Sequence, residues 1–265
     1  MPAKRIEFGS RDWDRFMGKI YGENMSRFVD IIGRKDFFGV IGERGFEFLC
    51  GRLNLSDECH VLDLGCGIGG PARFLARRYG CRVTGVDVSA ANIALAEVKT
   101  KQAGLSDRVR FVHGNATDVT LPAEGYTHVI GCDAWLYFED KPSLYALAHR
   151  LLEKNGAIAF LESTREKPAD FYFETVIGKC HMESVERHVA MLREARFESI
   201  ETHDVSAQSL ADILFVLKKV VQKREEIIEA LGSDYHHGLL AVWVDYLTAG
   251  TSGLAKHLCF TARKT

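Results

Sequence analysis

The sequence predicts a doubly wound α/β fold: a mainly parallel sheet covered on both faces, with a helical stretch inserted before its last strand. Three observations predict it. Between positions 60 and 161, short apolar runs alternate with helical patterns, the rhythm of βα units. The first apolar run passes straight into a glycine cluster, GCGIGG at 65–70. A long helical pattern then separates an apolar run at 199–203 from a closing one at 257–262.

Each element follows from local pattern. The first sixty residues read as helical, with Phe46, Leu49, Leu53 and Leu55 on the apolar side of a segment ending near Asn54. Strand 60–64 leads through the glycines to a helix at 71–79, and strand 82–86 to a helix at 90–103 for which Ser89 is the N-cap. Strands follow at 109–113 and 127–131, then a helix at 141–153 stopped by Asn155-Gly156, and a strand at 157–161. A helix at 185–195 and a strand at 199–203 come next. The stretch 209–247 carries Leu210, Ile213, Leu214, Leu217, Val221, Ile227 and Leu231 on one side, with Gly232 and Gly250 as punctuation. Four parts result: an N-terminal helical segment over the ligand site (1–58), a core (59–205), a helical cap or lid (206–252) and the last strand of the core sheet (253–265). An insertion placed just before a sheet's last strand is suited to closing over a ligand; extra core packing is the other reading of the stretch.

Composition excludes several classes. Lys+Arg 34 against Asp+Glu 36 leaves a net charge of -2, with no basic excess to neutralise a phosphate backbone, so nucleic acid is not an expected partner. No apolar run approaches the ~20 residues of a membrane span, and the polar start lacks a signal-peptide core. A cytoplasmic protein is expected. Its seven cysteines are scattered and never form a CxxC pair, so neither disulfides nor a metal site is expected.

Chemistry concentrates at strand ends. In a doubly wound sheet, ligands sit outside the carboxyl ends of the strands. Gly65, Gly67 and Gly70 satisfy GxGxxG, which alone would fit a nicotinamide enzyme. Asp63, two residues before the first glycine, argues otherwise: it would be awkward beside a pyrophosphate and suits the ammonium of an amino acid. Asp87, about twenty residues beyond the loop, suits ribose hydroxyls, and Ser89 frees it from capping duty. Asn115, after the third strand, has an amide that can pair with an adenine edge, or is a polar turn residue. The fourth strand ends in Gly131-Cys132-Asp133-Ala134-Trp135-Leu136-Tyr137, and Glu162 follows the fifth.

Taken together, Asp63 to Gly69, Asp87, Asn115 and the CDAWLYFEDK segment resemble class I S-adenosylmethionine-dependent methyltransferases, over roughly 59–163. The resemblance implies a Rossmann-like, seven-stranded sheet whose last strand is antiparallel. It implies S-adenosylmethionine as cofactor, with S-adenosylhomocysteine as product. The loop from Gly65 to Gly69, with Cys66 and Gly67 and beside Asp63, would hold the methionine part. Asp87 would take the ribose, Asn115 with Ala116 the adenine, Cys132 a backbone contact, and Val88 would be a further cofactor contact. Tyr21-Gly22-Glu23-Asn24 is similar to phosphoethanolamine N-methyltransferases, and 204–208 with 261–264 to indolocarbazole sugar O-methyltransferases. Both commonly carry His where Tyr137 stands and Asp where Glu162 stands. Met17 occupies the place of a catalytic Tyr.

The implied reaction is methyl transfer to a nitrogen or oxygen of a small-molecule metabolite or natural product, by a monomer or homodimer. An amine acceptor needs only to arrive neutral, whereas a hydroxyl or carbon acid needs a base. Tyr137 and Glu162 are the candidate bases; Tyr137 serves equally by stacking on substrate, and Glu162 by capping or pairing. Tyr21 would close over the donor. Met17, Met25, Asp133, Trp135 and Tyr172 are the expected acceptor contacts. His236-His237 read as surface residues, and His113 and His128 as strand residues rather than ligands. Three other readings stay open: C-methylation of a prenyl or aromatic substrate, a non-catalytic donor-binding protein, and a nicotinamide oxidoreductase.

Overall fold

A computed structural model describes Met17 and residues 20–117, 119–121, 125–178 and 180–265. The part of the expected N-terminal helical segment before Met17 lies outside these residues. The elements run α1 (Glu23–Ile32), α2 (Glu43–Cys50), β1 (His60–Leu64), α3 (Gly70–Tyr79), β2 (Arg82–Asp87), α4 (Ala90–Gln102), β3 (Val109–His113), β4 (Tyr126–Cys132), α5 (Lys141–Leu151), β5 (Leu152–Arg165), α6 (Phe173–Ile177), α7 (Val185–Glu194), β6 (Phe197–Asp204), α8 (Ser206–Gln222), α9 (Arg224–Leu231), α10 (Ser233–Thr251) and β7 (Ala255–Lys264). A 3₁₀ turn, Trp135–Tyr137, follows β4.

The strands form one sheet in the order β3-β2-β1-β4-β5-β7-β6. β7 runs antiparallel to both its neighbours, and the other pairings are parallel. This is the expected doubly wound, seven-stranded architecture. The order reverses between β1 and β4, which opens a crevice beyond their carboxyl ends.

Alternation along the strands builds two cores. Leu62, Leu64, Val129, Ile158 and Phe160 pack under α5 and α7 on one face. Val61, Ile130, Ala159 and Leu161 pack under α2 and α3 on the other. Local signals place the helices. Ser89, Asp140 and Ser184 accept N-cap hydrogen bonds from Asn92, Ser143 and Arg187. Pro71 sits in the first turn of α3, and Gly80 ends that helix in the left-handed region.

Several boundaries differ from expectation. The helix expected to reach 153 ends at Leu151, and β5 begins at Leu152 before the Asn155 turn (φ 65°). Gly250 does not punctuate, because α10 runs on to Thr251; a Cβ there would lie 2.9 Å from Leu210, so the glycine lets α8 approach α10. His236 is not a surface residue. It is buried, with Nε2 3.3 Å from the Val220 carbonyl, whereas His237 is exposed.

The helices α8, α9 and α10 pack with α1 into a separate apolar cluster that includes Phe28, Ile32, Val216, Ile227 and Trp243. Among the described residues, no helix is long and apolar enough to cross a membrane.

Candidate active site

A cavity of about 1270 Å³ opens beyond the strand ends at the switch point. Its floor is the glycine loop. Gly65, Gly67 and Gly69 have φ of 83°, 51° and 79°, a left-handed succession that side chains resist. The loop is pinned from β2: Asp87 Oδ2 accepts the Gly67 amide at 2.9 Å, and Oδ1 accepts the Ser89 amide at 2.9 Å and the Asn92 side chain at 3.3 Å. Burial pushes the Asp87 carboxyl up, and these hydrogen bonds oppose the shift.

Asp63 lies one layer deeper. It is 1% exposed, and neither carboxylate oxygen has a hydrogen-bond partner. Burial first, and then the Asp87 charge, push its pKa up to about 7. It is not itself a lining residue, but Gly65, Cys66, Asp87 and Cys132 around it are.

The structure brings most of the expected cofactor residues together. Tyr21, Gly65, Cys66, Gly67, Asp87, Val88, Asn115, Ala116 and Cys132 all line the cavity, with Asp63 behind them. Asn115 Oδ1 accepts from the Thr117 amide at 3.1 Å and hydroxyl at 3.0 Å, which commits its carbonyl oxygen to a local turn.

The expected acceptor contacts divide. Met17, Asp133 and Tyr137 line the cavity; Met25, Trp135 and Tyr172 do not. Met25 packs against the helical cluster, and Tyr172 is 49% exposed. Trp135 is fully buried: its Nε1 donates to the Leu64 carbonyl at 2.9 Å and its ring lies 4.6 Å from that of Phe160. It is a core residue rather than a cavity wall. The 3₁₀ turn ends the strand alternation and turns Trp135 inward while Tyr137 faces the cavity.

Asp133 (φ 53°) is already engaged. Its Oδ2 accepts the Ile41 amide at 2.9 Å, and its Oδ1 lies 2.8 Å from Nε2 of His257. Gly39 allows this approach, since a Cβ there would stand 2.2 Å from Oδ2.

Neither candidate base meets the requirements of one. Glu162 is fully buried and does not line the cavity; its Oε1 lies 3.1 Å from Nζ of the buried Lys141. Burial pushes its pKa up to about 7 against the pull of Lys141. A general base must reach the proton it removes, and Glu162 is sealed from it. The Tyr137 hydroxyl meets that of Tyr21 in a hydrogen bond. Burial holds both phenols well above their ordinary pKa, so Tyr137 is a neutral hydroxyl rather than a phenolate.

Sequence reading missed part of the lining. Asp36 carries a turn over the glycine loop and is held by Arg73 at 2.6 Å and Lys99 at 2.7 Å. The Phe38 ring stacks on Tyr21 at 5.9 Å. At the end of β5, Arg165 bonds Glu174 at 2.8 Å and lies over the Phe171 ring, and all three line the far end. None sits in a recognisable motif; only the charged end of an apolar strand marked Arg165. No residue of 206–252 lines the cavity. Its roof comes from the N-terminal segment and from 165–183, and the expected lid supports these from behind. Among the described residues, no group of three or more His, Cys, Asp or Glu is placed to hold a metal ion.

Comparison with known proteins bears on the same region. Residues 61–156 match the model of a methyltransferase domain family. That matched stretch, similar to the family, contains the glycine loop, Asp63, Asp87, Asn115, Asp133 and Tyr137. The chain is 23% identical over 253 residues to a glycine/sarcosine/dimethylglycine N-methyltransferase of Actinopolyspora halophila, covering 94% of this chain and 45% of the relative. It is 29% identical over 175 residues to methyltransferase GfsG of Streptomyces halstedii, covering 63% of each. The chain thus spans under two thirds of either relative. The fold is shared with phosphoethanolamine N-methyltransferase 2 of Haemonchus contortus, solved with phosphomonomethylethanolamine and S-adenosylhomocysteine (TM-score 0.87, 19% identity, 95% of this chain and 60% of that one).

Proposed function

We propose that this chain is an S-adenosylmethionine-dependent methyltransferase acting on a nitrogen or oxygen of a small-molecule metabolite. The observation that carries the reading is Asp63. A carboxylate with no partner, buried behind a left-handed glycine loop, is a costly arrangement unless a cation completes it. The ammonium of the donor's methionine part is such a cation.

The remaining donor-side residues fit the same group. Gly65 and Gly67 bring backbone close to the methionine part, Asp87 faces the ribose, and Asn115 with Ala116 borders the adenine. Tyr21 and Phe38 supply apolar cover that excludes water. When bound, the donor supplies an activated methyl on a sulfonium. The chain's own task is to align an acceptor with it and keep water out. The raised pKa of Tyr137 and the sealing of Glu162 favour an acceptor that needs no base in the site. An amine that arrives neutral is such an acceptor, whereas a hydroxyl must lose a proton to a base. The N-methyltransferases among the relatives agree with that preference.

The test has two arms. S-adenosylhomocysteine is titrated into the protein by calorimetry, and methyl-labelled S-adenosylmethionine is incubated with the protein and a metabolite extract. Binding together with a labelled product supports the reading, and fragmentation of the product shows the methylated atom. Absence of S-adenosylhomocysteine binding overturns it.

A further inference from the structure

The mechanism outlined above leaves unused a buried ion pair one layer behind the acceptor end. Lys141 is 1% exposed and Glu162 is 0% exposed, and their charged atoms are 3.1 Å apart. An ammonium has three protons to satisfy. Lys141 Nζ lies 2.6 Å from the Trp135 carbonyl, 3.3 Å from the Phe138 carbonyl and 3.1 Å from Glu162 Oε1. The first two partners bracket the 3₁₀ turn Trp135–Tyr137. The third belongs to β5, the neighbouring strand.

Location makes this pair costly. Lys141 opens α5, where the helix dipole disfavours a positive charge. Burying both ions is also expensive compared with apolar residues of similar size. What the pair does that an apolar pair would not is bind two carbonyls, one on each side of Tyr137. Trp135 is fixed as well through its indole to the Leu64 carbonyl, and the Leu136 carbonyl accepts the His181 amide at 2.7 Å. The turn is therefore held by β1, β5 and the 180s segment, and the one side chain it presents to the cavity is Tyr137, in contact with Tyr21.

We infer that Lys141 and Glu162 are positioning residues: the ammonium, anchored by Glu162, clamps both ends of the 3₁₀ turn and so sets the Tyr137 hydroxyl against Tyr21 at the acceptor end of the cavity. The significance of that placement rests on reading the cavity as a methyl-transfer site. The clamp itself is a geometric claim that can be tested without donor or acceptor.

The experiment uses the full chain labelled with ¹³Cζ-tyrosine, with Tyr137 assigned through Tyr137→Phe. In the wild type, Tyr21→Phe removes the partner hydroxyl and shifts the Tyr137 signal. The double variant Lys141→Met/Glu162→Leu replaces the pair by apolar residues, an exchange that buried ion pairs often tolerate without loss of stability. Its fold is checked by unchanged Tyr79 and Tyr126 signals. The expected result is that the Tyr137 signal moves in the double variant, and that adding Tyr21→Phe then moves it no further, because the contact is already lost. An undiminished response to Tyr21→Phe in the folded double variant overturns the inference. If the double variant does not fold, the same comparison is made in Glu162→Gln, which keeps the shape and removes the charge; a full response there overturns it equally. Failure of S-adenosylhomocysteine to bind the wild type would refute the proposed function instead and leaves this readout untouched.

Discussion

The carboxylate of Asp87 accepts the amide of Gly67 across 2.9 Å, so the acid at the end of β2 is part of the scaffold of the glycine loop as well as of the cavity lining. Asp87→Asn keeps an acceptor for one amide and loses the charge. Its affinity for S-adenosylhomocysteine is expected to fall at least about tenfold, equivalent to ~1.4 kcal/mol. Asp87→Ala also strands the Gly67 and Ser89 amides and is expected to lose roughly 1–3 kcal/mol of stability. Calorimetry and chemical denaturation separate the two effects. Wild-type affinity in Asp87→Asn would remove Asp87 from the donor site.

Asp63 makes the apo protein sensitive to pH. An acid whose pKa rises from 3.8 to about 7 on folding holds its proton more tightly in the native state. Its contribution to stability is complete below the unfolded value and is lost as pH rises to about 7. Glu162, also raised to about 7, acts in the same direction. The melting temperature should therefore decline between pH 5 and pH 8, and decline less in Asp63→Asn. At this chain length each kcal/mol corresponds to roughly 2–4 °C. Differential scanning fluorimetry at both pH values makes the comparison; parallel slopes for the two proteins would reject the assignment.

Tyr21 and Tyr137 join an N-terminal segment to the end of β4 through their hydroxyls. A double-mutant cycle with Tyr21→Phe and Tyr137→Phe should show a coupling of about 0.5–1.5 kcal/mol in unfolding free energy. Neither substitution should create or remove a limb in a pH profile below pH 10, since both phenols are held neutral. Zero coupling would mean that the contact does not persist in solution.

Trp135 fills the core between β1 and β5. Trp135→Ala is expected to destabilise the protein by about 3–5 kcal/mol through the cavity it leaves. Trp135→Phe should cost less, with the Leu64 carbonyl left without its donor. A residue that merely lined the substrate cavity would show little effect on unfolding in either variant, so denaturation curves decide between the two roles.

What was legible in the sequence was local. Asp63, the glycines and Asp87 sit within single strand–turn–helix units, where neighbours in the chain are neighbours in space. Short apolar runs marked the buried strands for the same reason. Residues after the turn at Ala134 were not legible, because a 3₁₀ turn has neither period and rotates Trp135 into the core. Glu162 is the first residue past the span read as the fifth strand, which suggested a crevice group. Its actual surroundings depend on Lys141, a residue of the preceding helix α5 whose side chain folds back under the turn.

The sequence alone determined the order of βα units, the site of the glycine loop and the presence of an acid where a cation can be met, since each is written in contiguous residues. Tertiary structure alone decided which strand-end residues face the cavity. It also decided that 165–183 rather than the helical insertion roofs it, and that His236 is inside. Those outcomes depend on packing between segments far apart in the chain, where burial free energy and the need to satisfy each buried polar atom are settled only once all the partners are in place.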